Sequence, residues 1–147
     1  IQSLRKSMDT TVEIPFLIDA NNNETLKVVE HIARSISSKV DFGNDEKRLN
    51  LHTAAVFACN FVNFMYLQSA QFCQSHNINF SLLQPLIEET AHRLHNHQPK
   101  EVFTGPAIRK DFETINKHLH QLKSNTVAHN IYQYLTQLMI EEYDNRE

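Results

Sequence analysis

The chain is 147 residues long, 41% hydrophobic and 21% charged, with a formal net charge of −3. These values suit one packed domain, or one domain with a fragment of a second. They exclude a basic nucleic-acid surface, and no apolar run is long enough to span a bilayer.

The chain begins at Ile1 rather than Met and carries no secretory signal, so it reads as a piece of something longer. Cys59 and Cys73 fall within one predicted helix. At 1.5 Å per residue they lie about 21 Å apart. A disulfide needs Cα atoms within about 7 Å, so both are read as free thiols. Free thiols fit a reducing, cytoplasmic compartment. Glycine occurs only at 43 and 105, which rules out a phosphate-cradling G-x-G-x-x-G or Walker loop within these residues.

Residues 1–12 are polar and irregular in pattern. Glu13 to Asp19 reads as a short strand, with Pro15 at its start. Asn21, Asn22 and Asn23 supply a turn and a helix cap. Leu26, Val29, Ile32, Ala33 and Ile36 then recur at helical spacing. Lys39 to Phe42 reads as a second strand. A strand–helix–strand unit of this length predicts two parallel strands with a right-handed crossover. Two strands alone make a poor sheet, so the unit is expected to belong to a larger one.

Gly43 and Asn44 break the pattern, and Asn44 can cap the next helix. That helix, long and central, is predicted from about 45 to about 76. Its apolar residues fall on every face, which predicts a helix surrounded by other helices. His76 to Asn79 is the next turn. Ser81 and Gln84 have capping-box spacing, and Pro85 sits in a first helical turn. Leu83, Leu86, Ile87, Thr90, Ala91 and Leu94 predict one apolar stripe. After Thr104-Gly105-Pro106, Ile108, Phe112, Ile115, Leu119 and Leu122 predict a further inward face. Ser124 or Asn125 caps a last helix, with Val127, Ile131, Tyr134, Leu135 and Leu138 on one side. The fold class is therefore mainly α: a helical bundle around a long central helix, preceded by a short β-α-β remnant of a missing Rossmann-like domain. The boundaries are 1–43 and 44–147.

Three groups of side chains carry chemistry. His52 and Asn60 lie eight residues apart, about two helical turns, and Asn63 lies near the same stripe. They form either the polar edge of a substrate pocket, with His52 exchanging a proton near neutral pH, or a hydrogen-bond network between helices. The second group is Thr104, Gly105 and Arg109. Glycine permits close backbone approach, and a guanidinium can grip a carboxylate bidentately. The plain alternative is a helix-start loop with a surface Arg109–Asp111 ion pair. The third group, His92, His95 and His97 with His118 and His120, lacks any recognised ligand spacing and is read as solvated, with no metal.

Three motifs in this order resemble a known family: Ile14 to Ala20, Leu51 to Phe61, and Thr104 to Asp111. They are similar to the C-terminal domain of Rossmann-like proteins proposed to be NADP-dependent oxidoreductases, a helical part classed as a domain of unknown function. The likeness covers nearly the whole chain. It implies a substrate-binding and dimerisation domain, inactive without an N-terminal domain that holds most of the NADP. The layout is more distantly similar to ketopantoate reductases and β-hydroxyacid dehydrogenases. There, the first long helix presents a Lys and one or two Asn to the nicotinamide at four-residue steps. Here those steps hold His52, Val56 and Asn60, so only Asn60 keeps the pattern. The resemblance implies catalytic His52 and Asn60, and substrate contacts from Asn63, Thr104, Gly105 and Arg109. It also implies a small-molecule substrate, acidic if Arg109 grips it, and a homodimer, with no nucleic-acid or membrane partner. The competing expectation is a helical binding or assembly module without catalysis.

Overall fold

The computed structural model describes residues 13–145. They fall into two compact units, the first ending at Leu67 and the second beginning at Gln68.

The first unit opens with β1 (Phe16–Ile18), α1 (Asn23–Ile36) and β2 (Val40–Phe42). The strands pair in parallel, Phe16 opposite Val40 and Ile18 opposite Phe42. Asn22 starts α1 by accepting the Thr25 N–H at 2.9 Å. Ser37 ends it in an extended conformation, its N–H still bonded to the Ala33 carbonyl at 3.0 Å. The buried residues here are Ile18, Ala33 and Ser37, so α1 packs on the strands through a narrow small-residue line. The Ser37 hydroxyl accepts the Lys39 N–H at 3.1 Å, which satisfies a polar group that burial would otherwise penalise.

Asn44 caps α2 (Asp45–Ala55), accepting the Lys47 N–H at 2.9 Å. Arg48 ties this start to the sheet. It donates to the Gly43 carbonyl at 2.9 Å and pairs with Asp45 at 2.5 Å and Asp19 at 3.5 Å. The helix then continues through a π-helical segment (Val56–Phe61) into α3 (Val62–Ser75). The predicted rod is thus present, with a wider turn inserted at its middle.

Few of its described side chains are buried. No residue of α2 or the π segment is buried, and on α3 only Cys73 is. Leu49 (65%), Phe57 (64%) and Phe61 (50%) stand open. All-round apolarity predicts surrounding helices. Within the described first unit the rod is accompanied only by a β-α-β unit, which leaves those faces bare.

In the second unit, α3 closes on Asn77, which takes a left-handed φ of 55°. Ile78 N–H reaches the Cys73 carbonyl at 2.8 Å and Asn77 N–H the Gln74 carbonyl at 3.2 Å, the paired bonds of a Schellman ending. A 3-10 turn (Phe80–Leu83) leads into α4 (Gln84–Arg93) with Pro85 in its first turn. Asn79 caps this turn through the Ser81 N–H at 3.0 Å, so Ser81 is recipient rather than cap. A reciprocal cap forms instead at Gln98 and Glu101, on the 3-10 turn Pro99–Glu101. The last helices are α5 (Phe112–Gln121) and α6 (Thr126–Asp144), capped by Asp111 and Asn125. The buried residues of this unit are Cys73, Ala107, Ile115 and Ala128. The predicted stripes on α4 and α6 are only partly covered: Leu86, Leu94, Val127 and Tyr134 are each at least half exposed.

Candidate functional site

His52 sits in the last turn of α2 and Asn60 inside the π segment. In an α-helix, eight residues overshoot two turns by about 80°. A π segment bonds to the fifth residue rather than the fourth, so it turns less per residue. The insertion therefore brings Asn60 back toward the line of His52. Val56, between them, is half-buried. His52, Asn60 and Asn63 are exposed. Asn63 leans on its own helix, its amide 3.9 Å from Cys59 Sγ, while His52 meets no hydrogen-bond partner among the described residues. No hydrogen bond between helices is formed by these three side chains among the described residues. The two groups left, an imidazole and a carboxamide, stand two turns apart on an open face. Phe57 and Phe61 of the same segment form an edge-to-face pair, with ring centroids 5.1 Å apart.

The second group lies in the second unit. Gly105 takes φ 107°, a conformation that L side chains avoid, and a Cβ there would meet nothing within 4 Å. The glycine is thus required by backbone conformation and not by close packing. Its carbonyl accepts the Arg109 N–H at 3.4 Å, and the Pro106 carbonyl accepts the Asp111 N–H at 2.9 Å. Lys110 also takes a positive φ (52°) and pairs with Asp144 at 2.8 Å, which anchors the loop to the end of α6. Gly105 and Arg109 are thereby held in one tight turn that follows Thr104, and Thr104 and Arg109 are exposed.

The expected Arg109–Asp111 ion pair is not among those formed. Asp111 is engaged as the cap of α5, accepting the Thr114 N–H at 3.0 Å and its hydroxyl at 2.8 Å. Those two bonds, the N–H first, hold its carboxyl below the ordinary carboxylate value, and the nearby Arg109 charge adds to this. Correspondingly α5 begins at Phe112, later than Ile108 had indicated.

Among the described residues no three His, Cys, Asp or Glu side chains stand where they could hold an ion. His92 and His95 meet edge-to-face at 5.2 Å. His118 Nδ1 lies 2.8 Å from the Tyr132 hydroxyl, tying α5 to α6.

The pattern of a domain of unknown function, DUF2520, matches residues 14–139. The chain belongs to this family. A comparison with curated proteins gives no match. Among solved structures, a Bacteroides fragilis protein described as a "putative NADP oxidoreductase" is 37% identical, with a TM-score of 0.89 over 96% of this chain. A Thermotoga maritima protein is 23% identical with a TM-score of 0.69 over 82% of the chain, a likeness of fold. This DUF2520 chain corresponds to only 55% and 50% of their lengths.

The described residues of this DUF2520 chain do not fit the phosphates of a dinucleotide. The one helix that follows a strand within a β-α-β unit, α1, is entered through Asn21-Asn22-Asn23. Its first-turn N–H of Thr25 is already taken by Asn22. No glycine stands there to let a pyrophosphate approach.

One further feature was only half indicated by the sequence. A groove of about 330 Å³ runs between α5 and α6, floored by Phe112, Ile115 and Leu119 and edged by Gln133, Gln137 and Ile140. The α5 side follows the predicted stripe. The α6 side, with Gln133, Gln137 and Ile140, lies off the stripe predicted for that helix. None of the six predicted site residues lines it.

Proposed function

We propose that this DUF2520 chain is the substrate-binding and dimerisation domain of an NADP-dependent oxidoreductase. In this reading residues 1–43 are the tail of a nucleotide-binding domain, and residues 44–147 form the helical domain. The observation that carries it is the match to the Bacteroides fragilis protein over almost the whole chain at little more than half of that protein's length. NADP is assigned to the other domain, consistent with the absence of a phosphate cradle among the described residues of this one.

The chemistry assigned to this chain is proton transfer and positioning. His52, open to solvent, donates a proton to a carbonyl or imine, a task to which an imidazole is suited. Asn60, brought toward the same line by the π segment, orients that group through its carboxamide. Asn63 in the first unit, and Thr104 and Gly105 in the second, are each assigned a substrate contact of their own. Arg109, exposed and outside the ion pairs formed among the described residues, holds an acidic substituent. The bare apolar faces at Leu49, Phe57 and Phe61, and at Leu135 and Leu138, are of the kind that a twofold mate covers, which supports a homodimer. No helix among the described residues is long and apolar enough to cross a membrane. A cytoplasmic location is proposed from two cysteines, Cys59 and Cys73, that are not bridged to one another.

A second reading, a helical assembly module without catalysis, is favoured by one observation: nothing among the described residues orients the His52 ring. Titration of NADPH against the complete gene product separates the two. Binding, followed by NADPH oxidation with a member of a carbonyl and imine panel, is the expected result. Absence of binding favours the assembly module.

A further inference from the structure

We infer that the sheet of the first unit grows at β1 and not at β2, and that the strand it accepts is a parallel strand of the nucleotide-binding domain proposed above. The inference rests on that proposal and adds the docking edge to it.

The two edges differ. Phe16 N–H donates to the Lys39 carbonyl at 2.8 Å, and Gly43 N–H donates to the Ile18 carbonyl at 3.0 Å. In a parallel ladder alternate residues face the partner. Phe16 and Ile18 therefore turn their backbone groups toward β2, and Leu17 turns its N–H and C=O to the opposite edge. On β2, Asp41 faces β1, while Val40 and Phe42 face outward. Phe42 is already engaged on that side. Its N–H donates to Asp41 Oδ1 at 2.8 Å, and its carbonyl accepts from Lys47 Nζ at 2.7 Å. Lys47 also holds Asp41 Oδ2 at 2.7 Å. An arriving strand would have to break this charged clamp, a device that keeps sheet edges single. Among the described residues Leu17 carries no such clamp.

The helix layer points to the same partner. Leu26 and Val29 of α1 are half-buried and Ala33 is buried, which accounts for its packing on two strands. Val28 (56%), Ile32 (55%) and Ile36 (67%) repeat at four-residue steps and stay bare. A helix with a second apolar stripe is built to cover a wider layer. Parallel sheets are, as a class, buried on both faces inside α/β layers, so the fitting neighbour is such a layer and not an isolated peptide.

Residue-resolved amide hydrogen exchange on this chain and on the complete gene product tests the inference. In the complete product, Leu17 exchange is expected to slow by at least about tenfold relative to this chain, with Val40 and Phe42 little changed. Leu17→Pro in this chain is expected to leave α1 protection intact, because its N–H faces the open edge; in the complete product it is expected to abolish the protection gained along β1. If Leu17→Pro prevents folding, the comparison of the unsubstituted proteins stands alone. A complete product with a docked sheet domain, a fast Leu17 and a slowed Val40 overturns this inference but not the proposed function. A complete product with no further sheet domain overturns both. Leu17 protection that rises with the concentration of this chain alone assigns the edge to a second copy and overturns the heterologous strand.

Discussion

Replacing Gly105 by alanine isolates a purely conformational cost. The position holds φ 107°, and an added Cβ would meet no atom within 4 Å, so no steric term enters. Holding an L residue in so sparse a region costs about 1–3 kcal/mol. The entropy gain that Gly→Ala gives elsewhere applies only where alanine fits the native conformation, so it offsets little here. Taking about 2 kcal/mol and a urea m-value of about 2 kcal/mol/M, the unfolding midpoint should fall by roughly 1 M. Gly105→Asn should lose less, because asparagine tolerates positive φ better than alanine does. The assay is urea unfolding followed by circular dichroism, with the m-value checked for constancy. An alanine variant whose midpoint stays within about 0.2 M of the parent would show that the turn relaxes freely. Gly105 could then not be what holds Arg109 in place.

Gly43→Ala should also destabilise, but for a steric reason: its Cβ would come within 2.7 Å of Lys47 Cδ and 2.9 Å of Leu17 Cδ1. The double variant with Lys47→Ala should recover part of the loss, leaving the Leu17 contact; no recovery in a urea series would contradict the assignment. Asp111 supplies a pH dependence of definite sign. Its folded carboxyl titrates below the ordinary value of 3.8, so its contribution is complete above that value and is lost as pH falls through the folded one. Asp111→Asn should keep most of the cap and flatten the acid limb of the stability profile; an unchanged acid limb would refute this. Native thiol titration should find one fast group, Cys59, with Cys73 (5% exposed) reacting only on opening.

Much of the backbone was legible because caps and breaks are local chemistry. Asn44 caps as expected, Asn22 caps within the Asn21–Asn23 run, Asn125 rather than Ser124 caps the last helix, and His76-Asn77-Ile78 closes α3 as a turn. The β-α-β unit and its parallel pairing followed from spacing alone. The π segment left no trace in the sequence, since 56–61 has the same residue types as an α-helix; its cause lies in the backbone hydrogen-bond pattern. Burial misled for a different reason. Apolar periodicity reports which faces seek cover, and not whether the described residues supply it: Leu86 and Tyr134 follow their stripes and remain exposed. The Ser81 box failed because Asn79, two residues earlier, reaches the Ser81 N–H first. The candidate side chains were legible as types. The bare state of His52 and the capping role of Asp111 were not, because each depends on what stands nearby in space.

Proton donation by His52 is tested most directly by steady-state turnover of NADPH in the complete gene product carrying His52→Ala, with NADPH affinity measured in parallel. Unchanged NADPH affinity is predicted, with a kcat lower by at least about a hundredfold, the usual scale of a lost proton donor. Turnover equal to that of the parent, at full NADPH affinity, would contradict the assignment.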